Sequence, residues 1–451
     1  GVIVITTKKG QRGLNIDFSA RVGMETMPSY PDSYKLTGAD SYRELSKEAA
    51  LNGYNYGPGL GRTSYFRLYN EAYGVGLPYT DEGAADFLEW YSGIPYDSPY
   101  DTNWLEEVTR DGMIQNYTLT LSGGGETPTS ARFYTSLDYF DNEAIIKGKD
   151  MKRYSFRLNF DQAPNDRVSY GFNSNVAHTV TNMGAGGGYF SDPITQAIMM
   201  SPLSPVKNED GTWNFNTTTG YNPVAQRSEL GDKSEAKQYR FIFSPYATVN
   251  ILDNLSFTSR LGVDGYLIDE FGTWSFLQPQ GKDMRGLGEN GYVANFVTTI
   301  TNTLNYNKNF NGHNFDVLLG QEGQKTSYKD TYLAGSNYAV DYLNDVELTS
   351  TPSSASTSRR ELVLNSYFSR LEYNFNEKYY LSGSFRMDGS SRFSEKNRWA
   401  PFYSLGGKYR LSSEDFMQGV DWLDDLTVRA SYGTSGNQTV EIGRASCRER
   451  V

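Results

Sequence analysis

The chain has 451 residues, 42 Lys and Arg against 53 Asp and Glu for a formal charge of −11, two His, one Cys, and 14% aromatic side chains with 35 Tyr. One Cys cannot form a disulfide within the chain, so few Cys and His cannot furnish a multi-thiolate or multi-imidazole metal site, and the acidic balance opposes a nucleic-acid partner. No apolar run reaches ~18 residues, which excludes a transmembrane helix, while the aromatic content argues against disorder and the wealth of Tyr, Gly, Asn, Ser and Thr leans to β-structure.

In chain order, Gly1–Gly10 (GVIVITTKKG) reads as a buried strand met in its middle, and Leu14–Met24 as the strand after it. Ala39–Leu51 (ADSYRELSKEAAL) is the best helix, with Thr37 or Asp40 as cap and Gly53 as its end. Asp101–Val108 (DTNWLEEV) reads as a second short turn of helix. From there a period-2 pattern dominates, the mark of strands with two unlike faces. Tyr154, Phe156, Leu158 and Phe160 alternate with Arg153, Ser155, Arg157 and Asn159. Leu255–Val263, Phe296–Tyr306, Tyr367–Phe375 and Tyr379–Met387 repeat the scheme. Short connections (Asp161–Arg167, Leu252–Asn254, Asn311–Asn314, Asn376–Lys378) alternate with long ones (Thr181–Ala236, Tyr266–Tyr292, Lys329–Arg360).

Two solvents explain such strands. A soluble sandwich buries the apolar face; a transmembrane barrel gives it to lipid and turns the polar face to the lumen. Tyr and Phe at strand ends (Tyr117, Tyr139, Phe160, Tyr306, Phe375, Tyr379), a second face carrying Arg, Asp, Glu and Asn, and alternating short and long connections favour the barrel. The expected fold is all-β: a partial transmembrane antiparallel barrel of roughly thirteen strands, each near the ~10 residues that cross a bilayer, with long extracellular loops. Bacterial barrels have even strand numbers, so an odd count is expected of a fragment, and a barrel open at two edges is not a working membrane protein on its own.

Sites of chemistry are sparse. Asn182–Tyr189 (NMGAGGGY) lacks phosphate-loop spacing, and Asn208–Trp213 (NEDGTW) fits a hairpin turn better than a Ca²⁺ loop. No nucleophile elbow is present, so no catalytic residue, metal or cofactor is expected. Aromatic faces stack on sugar rings, which makes Tyr189, Phe190, Trp213, Tyr221, Trp274 and Trp399 candidate substrate-binding residues; self-packing of the loops explains them equally well. Arg386 joins that set, and with Asp388 and Arg392 it has a structural role at a loop base as the weightier alternative. Arg157, Arg370 and Arg386 on the polar face are placed either to steer anionic or polar solutes or to neutralise acids of a plug.

Five segments in order carry a resemblance. GVIVITTKKG (Gly1–Gly10), NWLEEVTRDGMIQNYTLTLSGG (Asn103–Gly124), FDNEAIIKGKDMKRYSFRLNFD (Phe140–Asp161), FRMDGSSRFSEKNRWAPF (Phe385–Phe402) and RASYGTSGNQ (Arg429–Gln438) resemble SusC/RagA-type TonB-dependent outer-membrane proteins. The most distinctive element is Asp388, Gly389, Ser390, Ser391, Arg392 and Phe393, which the resemblance makes structural. It implies that residues 1–10 end a plug domain and 11–440 form the N-terminal part of the barrel, with the signal peptide, TonB box, most of the plug and roughly nine of ~22 strands missing. It also implies a multi-pass barrel in the outer membrane of a Gram-negative, Bacteroidota-type bacterium, seated in outer-membrane lipid. The implied activity is import of oligosaccharides, or of peptides, beneath a SusD-like surface lipoprotein and driven by TonB through the missing N-terminal region. A siderophore or cobalamin receptor, and a surface glycan-binding adhesin without transport, are the alternatives.

Residues 441–451 are set apart. Ile442–Val451 (IGRASCRERV), with Cys447, back-translates codon for codon into a string resembling a common short-read sequencing adapter, and is expected not to be native. Re-reading the source DNA checks this: the expected result is adapter sequence and a contig that stops there, and genomic sequence running through Cys447 overturns it.

Overall fold

The computed structural model describes residues 8, 10–28, 38–56, 66–67, 71, 74, 76–127, 129–183, 192–218, 220–277, 279–342, 345–417 and 422–436. The tail with Cys447, and Tyr189 and Phe190, lie outside them. Thirteen strands form one antiparallel sheet in which every strand pairs with its sequence neighbours. They are β1 (Gly13–Glu25), β2 (Gly112–Gly124), β3 (Arg132–Glu143), β4 (Asp150–Asn165), β5 (Val168–Asn182), β6 (Lys233–Leu252) and β7 (Leu255–Trp274). There follow β8 (Leu287–Phe310), β9 (His313–Tyr338), β10 (Thr349–Phe375), β11 (Tyr379–Ser390), β12 (Trp399–Arg410) and β13 (Thr427–Gly433). The count agrees with the reading of the sequence. Among the described residues β1 and β13 bound the sheet and do not pair with each other.

Register places like with like. Tyr117, Tyr139, Tyr154, His178 and Tyr239 stand in one cross-strand row from β2 to β6, with ring centroids 6.3 Å apart for Tyr117–Tyr139, 5.0 Å for Tyr139–Tyr154 and 4.5 Å for His178–Tyr239. Near the other end Phe310, His313, Phe375, Tyr379 and Tyr409 form a second row, from β8 to β12. Further apolar positions lie inward of these rows on the same face, as Leu119, Leu137, Phe156 and Val176 do in one line. On β1 the apolar residues Leu14, Ile16, Phe18, Val22 and Met24 keep 64–70% of their surface exposed. An apolar band edged by aromatic belts on an uncovered face is what a bilayer solvates and water does not. The opposite face is polar: Thr118, Asp138, Ser155, Ala177, Arg240 and Tyr266 share a row. Among the described residues no helix is long and apolar enough to cross a membrane.

Three expectations are corrected. First, the strands are not uniformly near ten residues: β6 to β10 run 20, 20, 24, 26 and 27 residues. At ~3.3 Å per residue β10 spans roughly 90 Å, several times the thickness of a hydrocarbon core. Secondly, the segments taken as the loops Tyr266–Tyr292 and Lys329–Arg360 are largely strand, and only 275–286 and 339–348 connect. The cause is backbone pairing, since Thr349–Leu362 of β10 has no apolar alternation yet pairs with β9 along its length, with one register shift between Pro352 and Ser354. Thirdly, the alternation of connection lengths is not strict. At the end bearing the long connections, 144–149 and 391–398 are short, and at the opposite end 411–426 is long. The tight turns do hold: Asn311 (φ 48°) and Gly312 (φ 82°) make the left-handed pair that suits a two-residue hairpin.

The connections 26–111 and 183–232 fold together. The first holds α1 (Ala39–Tyr56), α2 (Asp81–Ser92) and α3 (Trp104–Val108); the second holds α4 (Pro193–Met199), and α5 (Pro279–Asp283) lies between β7 and β8. Helix α1 runs past Gly53, and the remote Asp101 carboxylate, not Asp40, accepts the Ala39 N–H at 2.8 Å; Thr37 lies outside the described residues. The second short helix begins at Trp104, not Asp101. Helix α2, absent from the sequence reading, is capped by Thr80 and ended by Gly93 in the left-handed region (φ 67°). Trp104, Val108, Ala197 and Met200 form the joint core. Around it Trp104 Nε1 donates to Ser201 O (2.9 Å), Thr102 N to Pro202 O (2.9 Å), Ser98 Oγ to Leu203 O (2.7 Å) and Thr102 Oγ1 to Ser204 O (2.8 Å). Trp104→Ala removes a fully buried anchor worth about 3–5 kcal/mol to this unit. Limited proteolysis of intact cells should then cut 26–111 and 183–232 readily, while the barrel keeps its folded mobility on unheated gels.

Candidate functional site

The polar face of the sheet is the surface to which the chemistry belongs. Its best-built cluster centres on Arg386 of β11. Nε meets Asp388 Oδ1 at 2.7 Å; Nη2 meets Glu322 Oε1 of β9 at 3.1 Å and Ser366 Oγ of β10 at 2.9 Å. The guanidinium also lies 5.4 Å from the Phe368 ring centre, and that ring covers Gly320, where any Cβ would collide with it. Arg386 thus ties three strands, and its Nε and Nη2 are committed to protein partners. Arg370 is similarly held, by Asp316 (3.4 Å) and Glu372 (3.5 Å).

The six-residue signature finishes the outer end of β11. Asp388 fixes Arg386. Gly389 is a close approach: a Cβ there would stand 2.8 Å from the Trp399 ring. Ser390 is buried, its N–H donating to Arg398 O (3.0 Å) and its Oγ accepting from Arg392 N (3.3 Å). Ser391 replaces a strand partner for β10, its N–H donating to Val363 O and its Oγ accepting from Val363 N, both at 2.9 Å. Phe393 N donates to Ser390 O at 3.3 Å.

The other candidates do not converge. Trp213 pairs with Lys207 in a short bridge and holds its ammonium 4.6 Å from the ring centre. Tyr221 packs against the Trp104 core, with its carbonyl accepting from Thr217 Oγ1 at 2.7 Å. Trp274 is the last residue of β7, not a loop residue. Trp399 opens β12 on the apolar face, stacked on Tyr367 at 6.0 Å, opposite in orientation to Arg386. The aromatic set therefore divides among loop core, strand end and membrane-facing belt.

Sequence reasoning left two features unassembled. One is a tether. Asn159 of β4, almost fully buried, donates Nδ2 to Lys8 O at 2.9 Å, and Gly10 is pressed so closely on β2 and β3 that a Cβ would collide with the carbonyl oxygens of Gly123 and Phe133. The other is a concavity of about 600 Å³ on β2 to β6, lined by Arg153, Arg157 and Arg240 with Asp138. Asp138 accepts from Asn116 Nδ2 and Thr118 Oγ1, each at 2.8 Å, and pairs with Arg153 at 3.5 Å. Arg240 pairs with Asp264 at 2.7 Å. Alternation showed that Arg153 and Arg157 share a face; the register that brings Arg240 and Asp138 beside them was not readable.

Between the loops, Asp232 accepts from Ser275 N (2.7 Å) and Gln226 Nε2 (2.9 Å), clamping 183–232 to the end of β7. Burial pushes its carboxyl above the usual range despite those bonds and the nearby Arg227, whose own guanidinium burial pushes down. Among the described residues no group of three or more His, Cys, Asp or Glu stands ready for a metal ion.

No family model matches the chain. Among curated proteins it is 30% identical to TonB-dependent receptor P26 of Formosa agariphila, over 81% of this chain and 37% of that one. It is 24% identical to TonB-dependent receptor SusC of Bacteroides thetaiotaomicron, over 98% of this chain and 41% of that one. Among solved structures it matches the RagAB peptide transporter with a TM-score of 0.72 at 22% identity, over 96% of this chain and 49% of that one. The chain thus spans about two fifths of the length of the curated relatives it matches. Because Arg386 is about a third exposed, Arg386→Met in the full-length receptor should cost about 1–2 kcal/mol, less than a buried network would. Thermal unfolding in detergent measures it, and an unchanged midpoint would remove Arg386 from the architecture.

Proposed function

This chain belongs to the SusC/RagA type of TonB-dependent outer-membrane receptors, and from that premise we propose that the complete protein actively imports oligosaccharides too large for porins. The observation that carries the reading is the two-faced wall: an apolar face edged by aromatic belts and, behind it, a polar face to which the segment around Lys8 and Gly10 is fastened. A polar-lined barrel with a segment held inside it has the form of a gated conduit. Substrate binds from outside, beneath a SusD-like lipoprotein that closes over the loops; TonB, energised from the inner membrane, draws on the N-terminal plug; the plug moves and the solute passes. No bond in the solute is made or broken, so the reading is of a transporter and not an enzyme. Peptides are the second cargo class, favoured by the structural match to the RagAB peptide transporter.

Deleting the gene in the source bacterium tests this. Growth on oligosaccharides should fail while growth on their monosaccharides, which porins admit, continues, and the gene in trans should restore it. Loss of growth on peptides alone would transfer the cargo to the second class. Normal growth on both would overturn import.

A further inference from the structure

We propose that Arg157 is an anion-recognition residue on the lumen wall and that the imported oligosaccharides carry carboxylate or sulfate groups; the inference rests on the import reading above. The three arginines that look alike in the sequence are not alike in the fold. Arg370 has two carboxylates and Arg386 has two carboxylates and a hydroxyl. Arg157 is exposed on the polar face and forms no ion pair among the described residues. Its cross-strand neighbours are Ser136 on β3 and Asn175 on β5, two neutral polar side chains.

The surroundings sharpen this. The concavity holds three arginines and a single carboxylate, Asp138, which already accepts bonds from Asn116 and Thr118. Arg153 is matched by Asp138 and Arg240 by Asp264. Among the described residues one positive charge of the hollow is left over, on Arg157, in a chain whose net charge is −11. An uncompensated guanidinium in an otherwise acidic protein is a place where an anion gains and a cation loses. Arg's planar fork fits a carboxylate or sulfate through two parallel bonds. Strand spacing sets Arg153 and Arg240 roughly 12–13 Å from Arg157, close enough for one short acidic chain to pass all three. Gln238, Ser155 and Asn175 line the same hollow and supply neutral donors and acceptors for sugar hydroxyls.

The test uses the full-length receptor in detergent, titrated calorimetrically with a uronic-acid tetrasaccharide and with a neutral glucose tetrasaccharide. Wild type should bind the acidic sugar at least about tenfold more tightly, with affinity falling as salt rises. Arg157→Gln should abolish the preference and flatten the salt dependence, and Arg157→Lys should restore part of it, since the charge returns without the fork. The Arg157 guanidinium has no ion-pair partner among the described residues, so its loss should leave the unfolding midpoint unchanged. Equal binding of the two sugars, or a preference surviving in Arg157→Gln, overturns the inference. So does a lowered midpoint with unchanged binding, which would assign Arg157 to an acid of the plug. Failure to bind either sugar also overturns it, while the import reading is judged separately by the deletion phenotype, which does not involve Arg157.

Discussion

The whole structure depends on one obligation: in hydrocarbon, every backbone N–H and C=O must find a partner within the protein. A sheet meets it only when each strand is bonded on both sides, and here every strand from β2 to β12 is bonded to its predecessor and its successor. The obligation sets the order of the sheet, since the nearest partner is the next strand in sequence. Side chains then adapt to the ladder. Alternation delivers apolar groups to lipid and polar groups to the lumen, and register gathers aromatics into belts. The same ladder explains why the sheet does not stop at the membrane surface. Beyond the aromatic rows water could satisfy the backbone, yet β6 to β10 continue pairing because partners are already aligned.

What the sequence disclosed follows from which interactions are local. Period-2 faces are local, so β4, β7 and β11 were legible from Tyr154, Phe257 and Phe385 and their neighbours. Turn chemistry is local, so Asn311-Gly312 was legible too. The Ser- and Thr-rich stretch of β10 has no two-faced pattern, and only β9 makes it a strand. What holds the loop helices was hidden for a related reason: Ala39 is capped from Asp101, 62 residues on, and Trp104 is anchored by Ser201, 97 residues on. In the candidate site, the family element was recognisable from six consecutive residues, but the task of Arg386 was not, because Glu322 lies 64 residues away. Arg157, Arg370 and Arg386 have equal claims as letters and unequal ones as neighbours.

The tryptophans show how one residue type serves several solvents. Trp104 is buried among loop residues, Trp213 covers an ammonium, and Trp399 stands with Tyr367 at the edge of the apolar band. Each placement suits an amphipathic ring, and none depends on a ligand. Recognition of a solute is better sought among the polar residues of the wall, where the sheet supplies rigidity and the side chains supply charge.

The fastening at Lys8 and Gly10 has a mechanical meaning. Tension on the chain ahead of Lys8 enters the wall at Asn159 and at the contact of Gly10 with the backbones of β2 and β3, beside the last paired positions of those two strands. Beyond this point the chain runs directly into β1, which is joined to β2 along thirteen paired positions from Gly13 to Glu25. A load directed along the strands must strain that whole row together, in shear, instead of opening it one bond at a time as a peel would. The seam is a mechanical stop: a pull along the strands is shared by the whole row, and the wall keeps its shape.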